Sequence, residues 1–354
     1  MSTAAAPSAP SASEASGEGR PARPAELRPL LPLLPLLLVP LLAALALWAF
    51  AWPAARTAPN DLPLGVAGPA AQADRVAQRI GARDGAFEIH RYADEAAARD
   101  AVADRTVYGA VVVTSQGPEL LTASAGGPVV AQFLQQAVGA QAAADGTALR
   151  TADVVPAPAA DPRGAALGAS VLPLALAGIA AGAMVTLLGL RGVRAALTLL
   201  GAAALVGVVG GALAHSWLEV LTGNWWAEAG VLGLSTLAVG AAVAGCAALL
   251  GPAGIGVVGF VVMFLGNPFS GAASAPRMLP DPVGAIGQWL PPGAGTTLLR
   301  SVSYFDGASA TGPLLTLIWW AVLGLGAVLL GPALRNRARA PQPTTPGREP
   351  ALAG

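Results

Sequence analysis

SVLPLALAGIAAGAMVTLLGL RGVR AALTLLGAAALVGVVGGALA, residues 170–214, is the stretch that decides how this chain folds. Two apolar runs, 170–190 and 195–214, flank Arg191-Gly192-Val193-Arg194. Each run approaches the roughly 20 residues that a helix needs to cross a hydrocarbon core of about 30 Å. The four-residue link is too short for anything but a turn between two antiparallel helices, and its arginines mark one side of the bilayer.

Further runs of the same kind lie outward from this pair. Residues 229–250, 254–265 and 313–334 follow it, and 30–52 precedes it. The run at 254–265 is the short one. Across the 354 residues, 54% are apolar and only 11% are charged, against about 25% charged in an ordinary soluble protein. All 20 basic residues are arginine and the net charge is zero, so no basic face points to nucleic acid. The single cysteine, Cys246, lies in an apolar run and reads as a buried thiol.

Arginine placement sets the orientation. Arg20, Arg23 and Arg28 precede the first run, Arg191 and Arg194 divide the second from the third, and Arg335, Arg337 and Arg339 follow the last. Six crossings put all three groups on one face, which the positive-inside rule makes cytoplasmic. Residues 215–228 then form a short outer loop, with Trp217, Trp225 and Trp226 at the interface. The expected fold is therefore an α-helical polytopic membrane protein with six transmembrane helices and a small α/β extracytoplasmic domain between helices 1 and 2. Residues 1–28, rich in Ala, Ser, Pro and Gly, read as a disordered cytoplasmic N-terminus. Residues 29–52 form the first helix, too long for the apolar core of a cleaved signal peptide, about 7–15 residues. Pro32, Pro35 and Pro40 are expected to confine its regular part to the later residues. Residues 335–354 read as a disordered cytoplasmic tail.

The domain at 53–164 has the composition of a soluble protein. Strands are expected at 62–68, 87–92, 108–114 and 119–124, the last two paired across 115–118. Helices are expected around Val76 and Ile80, over 94–105 with Asp94 as its cap, and over 129–144. The charged run Arg99, Asp100, Asp104, Arg105 reads as a solvated helix face.

Chemistry-bearing patterns are sparse. There is no phosphate-binding loop of the GxxxxGK[ST] form, no GxSxG and no HExxH. His90 and His215 have no ligating companions nearby. Catalytic, cofactor-binding and metal-binding residues are not expected, nor is an enzyme. Gly254-Ile-Gly256-Val-Val-Gly259 fits GxGxxG but opens a membrane run, so it reads as helix packing, as do Gly178/Gly182 and Gly207/Gly211. The interiors of the spans, as bounded above, contain no Asp, Glu, Arg or His, which argues against a self-powered ion-coupled carrier. Their hydroxyls, at Ser170, Thr186, Thr198, Ser235, Thr236 and Thr316, are expected to bond back to their own helices.

The five-helix bundle, residues 165–334, is interrupted by the unusual segment 266–312, too apolar for an ordinary outer loop and cut by prolines. It reads as short helices lying at the outer leaflet boundary or dipping into it, either as a lid or exit vestibule or as a passive cap. Asn267, Phe269, Ser270, Trp289, Arg300 and Tyr304 are its candidates for lining a pathway or forming the lid.

The order of these parts resembles the permeases of the type-2 exporter class of ABC transporters, and within it the phage infection protein (YhgE/Pip) group of bacterial membrane proteins. The residues carrying the resemblance are the strand at 62–68, Tyr108-Gly109-Ala110-Val111-Val112-Val113, Gly266-Asn267-Pro268-Phe269-Ser270-Gly271 and Leu290-Pro291-Pro292-Gly293. The resemblance implies an export-type permease in the bacterial plasma membrane, both termini cytoplasmic, working as a homo- or heterodimer with a separate ATP-binding subunit. Its cargo would be an apolar or amphiphilic compound. Permeases of that class meet their ATPase through an elbow before the first span and a coupling helix between the second and third. Here the first is Pro/Ala-rich and the second shrinks to Arg191–Arg194. That meagre surface motivates the rival expectation, a non-transporting envelope protein whose external domain binds a ligand, phage or partner.

Overall fold

A computed structural model describes residues 33–82 and 85–339. The arginines at 20, 23 and 28, the N-terminal segment 1–28 and the tail beyond Arg339 lie outside the described residues. The chain divides into two compact units, 1–46 and 47–354. The described part of the first unit is the start of helix α1, Leu33–Ala55. This helix is regular from Leu33, although Pro35 and Pro40 were expected to confine its regular part to later residues; Pro32 lies outside the described residues. Pro35 falls in the first turn of the helix, where no backbone donor is required, and a proline deeper in an apolar helix is tolerated.

In the second unit a five-stranded sheet forms first. Strands β1 (Leu62–Ala67), β2 (Phe87–Tyr92) and β3 (Gly109–Thr114) are mutually parallel, and β4 (Gly117–Thr122) turns back antiparallel on β3. The order is β2-β1-β3-β4-β5. Crossover helices α2 (Ala70–Gly81) and α3 (Glu95–Ala103) make the parallel connections, and α4 (Pro128–Ala144) follows β4. Asp94 caps α3, its Oδ1 accepting from the Ala97 amide at 2.9 Å. Alternation along each strand loads both faces. Leu62, Leu64, Val111 and Leu120 face α2 and α4, whereas Ala67, Ala110, Val112 and Leu121 face α3. The fifth strand, β5 (Arg150–Asp153), was not expected from sequence. It is a polar edge held by pairing with β4 and by Arg150 against Glu119 and Gln116, a composition that discourages further strand addition.

Among the described residues, five helices are long and apolar enough to cross a membrane. Beyond α1 they are α5 (Ala165–Leu187), α6 (Gly192–Gly211, prolonged by a π-helical turn to Trp217), α7 (Trp225–Leu250) and α11 (Thr311–Arg339). The shorter α8 (Ala253–Phe260) continues as a π-helical turn to Gly266. Helix α7 is the axis, with α5, α6, α8 and α11 around it. Small residues set the crossings. A Cβ at Gly182 would stand 2.5 Å from the Gly240 carbonyl oxygen, and one at Gly207 2.3 Å from that of Ala229. Gly254 packs on Cys246 and Ala247 in the same way, but Gly256 and Gly259 face open space, so only the first glycine of the GxGxxG pattern packs.

These contacts also fix directions. Gly178 and Gly182 meet Val239 and Val243, and Gly324 and Gly331 meet Ala241 and Ala248, so α5 and α11 run parallel to α7. Gly207 on Ala229 and Gly254 on Cys246 make α6 and α8 antiparallel to it. The Arg191–Arg194 turn, the Gly251-Pro252 turn and the C-terminal end of α11 therefore share one end of the bundle, and the sheet domain lies at the other. Helix α11 itself reaches Arg339, so the first residues of the expected tail are helical. On the outer helices, Leu197, Leu205, Trp319 and Leu323 are all more than half exposed, which in water would make an aggregating surface and in lipid does not.

Candidate functional site

The segment after α8 joins sheet domain and bundle. Two 3₁₀ turns (Pro268–Ser270 and Pro276–Met278) lead to α9 (Val283–Gln288) and α10 (Pro291–Tyr304). The backbone amides of Ala58 and Asn60 donate to Met278 and Arg277, and the Asn60 side chain donates to the Leu279 carbonyl at 2.8 Å. Ala275 and Met278 enter the core on one sheet face, and Phe305, just past α10, enters the core on the other. The segment expected at the outer leaflet boundary thus rises into the domain and fastens both of its faces.

Helix α10 then runs antiparallel to α7. Gly223 sits against the Val302 carbonyl, and Gly295 lies against Ser235 Oγ, 2.6 Å from where its Cβ would stand. Ser235 is ten residues into α7, so the foot of α10 lies about 15 Å along that helix from its domain end. Pro292 there meets Gly266, the end of α8. Between α5, α7 and α10 remains a cavity of only about 20 Å³, lined by Ser170, Ser235, Thr296 and apolar side chains, room for about one water. Five of the six expected hydroxyls bond back to their own helix carbonyls. Ser235 does not, and it faces this cavity.

The structure places the six candidate residues as follows. Ser270 is buried, its Oγ donating to Asn267 O and its carbonyl accepting from Gln288. Phe269 packs with Leu279 and Val283. Trp289 is 77% exposed on the outside of the bundle, its carbonyl accepting from Trp320 Nε1. Arg300 is buried and donates to the carbonyls of Gly271 and Ala272. Burial, reinforced by Arg105, pushes its pKa down to about 10. Tyr304 donates to Val220 O at 2.7 Å, and burial raises its hydroxyl pKa. Arg300 and Tyr304 come together on α10; none of the six lines the cavity at its foot.

Two readings from sequence need correction. Arg105 is not on a solvated face. It turns inward at positive φ, donates to Thr297 O and Ser301 Oγ on α10, and lies 5.2 Å from the centre of the Phe305 ring. Nor are the spans free of ionisable groups. Helix reaches into both ends of 215–228 and leaves 218–224 as the loop, so His215 falls within the span Gly192–Trp217 and Glu228 within Trp225–Leu250. Glu228 is fully buried. One carboxylate oxygen accepts from the Gly223 amide at 2.8 Å and the other lies 2.7 Å from His215 Nδ1. The missed signal was Asn224, whose side chain caps α7 and so places Glu228 one turn inside it. Both lie within one turn of a span end, and the deeper interiors of the five described spans carry no Asp, Glu, Arg or His.

No family model, curated protein or solved structure matches this chain.

Proposed function

We propose that the chain is an exporter-like permease subunit of a bacterial plasma membrane, resembling the YhgE/Pip group, which moves an apolar or amphiphilic compound with a separate ATPase. The observation that carries this reading is α10, a helix whose foot lies deep in an apolar bundle and whose head is fastened to a folded domain. That arrangement lets a movement of one part open the other. In this reading α8 is the sixth crossing. Its eight residues and six-residue π turn cover about 20 Å, and the segment leading to α10 fills the remaining depth. The arginine-bearing ends face the cytosol, the sheet domain lies outside, and two subunits assemble in the bilayer around one pathway. Ser170, Ser235 and Thr296 would meet the cargo as α10 withdraws.

The test is transport in inside-out vesicles together with the chain's native membrane partners. ATP-dependent uptake of a lipophilic dye, lost when Gly295→Cys on α10 is crosslinked to Ser235→Cys on α7 in a Cys246→Ala background, supports the proposal. Uptake indifferent to that crosslink, and purification without any ATP-binding subunit, overturns it. The rival, a non-transporting envelope protein whose external domain binds a ligand, phage or partner, draws support from the four-residue turn Leu188–Arg191 left between α5 and α6, which leaves a motor little to grip. It predicts that an unrelated anchor can replace α5–α11 without loss of function.

A further inference from the structure

Helices α2 and α4 stand over neighbouring parts of one sheet face and leave between them a cavity of about 430 Å³. Interiors normally tolerate few voids larger than a water, whereas small-molecule sites span about 300–1,000 Å³ with apolar walls and a few polar groups. The floor is Leu64, Val111 and Leu134, and Val76, Ile80 and Val138 form walls. The rim differs in kind. Gln72 and Gln141 line it, and Arg79 on α2 reaches Asp145 at the end of α4, 2.7 Å away, bridging the two helices. The mouth lies by Ser115 and Gly117 at the tip of the β3–β4 hairpin. The opposite end of the domain, at Gly126 and Gly127, meets Phe305 and Ser274. The cavity is therefore separate from the joint with α10.

We propose that this cavity binds a single-chain amphiphile whose polar end carries no net charge. An apolar chain would remove the floor and walls from water. Among the described residues the rim presents one cation, one anion and two amides, which match a dipolar or zwitterionic end and oppose a net charge of either sign. The proposal stands on the domain alone and does not require that the bundle transport anything. Such a ligand could come from the surrounding bilayer or arrive as a free amphiphile.

The full chain in lipid nanodiscs tests this, with Cys246→Ala and Ser115→Cys carrying an environment-sensitive fluorophore. Titration with dodecylphosphocholine should give a saturable emission change. Val138→Trp, which fills the cavity, should weaken it by about tenfold or more, and dodecyl sulfate should bind the parent protein about tenfold more weakly. Should Val138→Trp not fold, the exposed rim pair Gln72→Ala/Gln141→Ala should still weaken binding several-fold. No saturable change, or equal affinity in the parent and in whichever of these variants folds, overturns the proposal. Mass spectrometry separates the sources. A bilayer lipid retained by the parent and lost from Val138→Trp identifies the membrane as donor, whereas saturable binding with no retained lipid identifies a free amphiphile.

Discussion

Helices α6 and α7 are neighbours of similar length and similarly apolar composition, yet 78% of the most apolar window of α7 is buried and only 22% of that of α6. Hydropathy cannot separate them, because lipid is as apolar as leucine and exerts no pull toward the centre of a bundle. Side-chain size separates them. Around α7, Ala238, Ala241, Ala242, Ala244 and Ala247 are buried, and Gly233, Gly240 and Gly245 admit a neighbour's backbone. Helix α6 offers one such stripe, at Gly207 and Gly211, and turns Leu197, Leu205 and Val209 outward. The axis of a membrane bundle is the helix that is small all round.

That contrast can be broken at the crossings. Gly182→Leu drives a side chain into the Gly240 backbone; it should abolish the folded peak in fluorescence-detected size exclusion, whereas Gly256→Leu, facing open space, should leave it unchanged. The buried carboxylate near the head of α7 comes next. Glu228→Ala strands His215 and the Gly223 amide and should cost about 3 kcal/mol, read as a lowered thermal midpoint, with Glu228→Gln milder. Phe305→Ala empties a site in the sheet core. It should cost about 3 kcal/mol and make the 53–164 region more susceptible to protease, while the span helices stay protected. Asn224→Ala, which removes the cap of α7, should cost about 1 kcal/mol. At the bottom of the scale Leu205→Ala, on the outward face of α6, should stay within about 0.5 kcal/mol.

Much of this architecture is legible in the residues. The strands at 62–67, 87–92 and 109–114 announce themselves through β-branched and alternating apolar residues, and Asp94 through its position before a helix. What escaped notice lacks a local signal. Strand β5 is Arg-Thr-Ala-Asp, which becomes a strand only because β4 offers an edge. Arg105 belongs by sequence to a solvated run, yet its partners Thr297 and Ser301 lie nearly two hundred residues away. Residues 215–228 read as a loop because charge and tryptophan cluster there; the loop is the shorter 218–224, since the π-helical turn after Gly211 runs to Trp217 and Asn224 caps a helix that starts at Trp225. The segment 266–312 was recognisable as unusual from its prolines. That it enters both cores of the sheet domain could not be read, because Met278 and Phe305 find their pockets through tertiary contact alone.

Helix α10 has Phe305, just past its head, in the sheet core and Gly295, one turn above its foot at Pro291, wedged at Ser235. A stiff rod held at both ends behaves as a lever arm. A tilt of the sheet domain would therefore be carried along α10 to the interior of the bundle. The sheet domain and the foot of α10 are thus coupled through one helix.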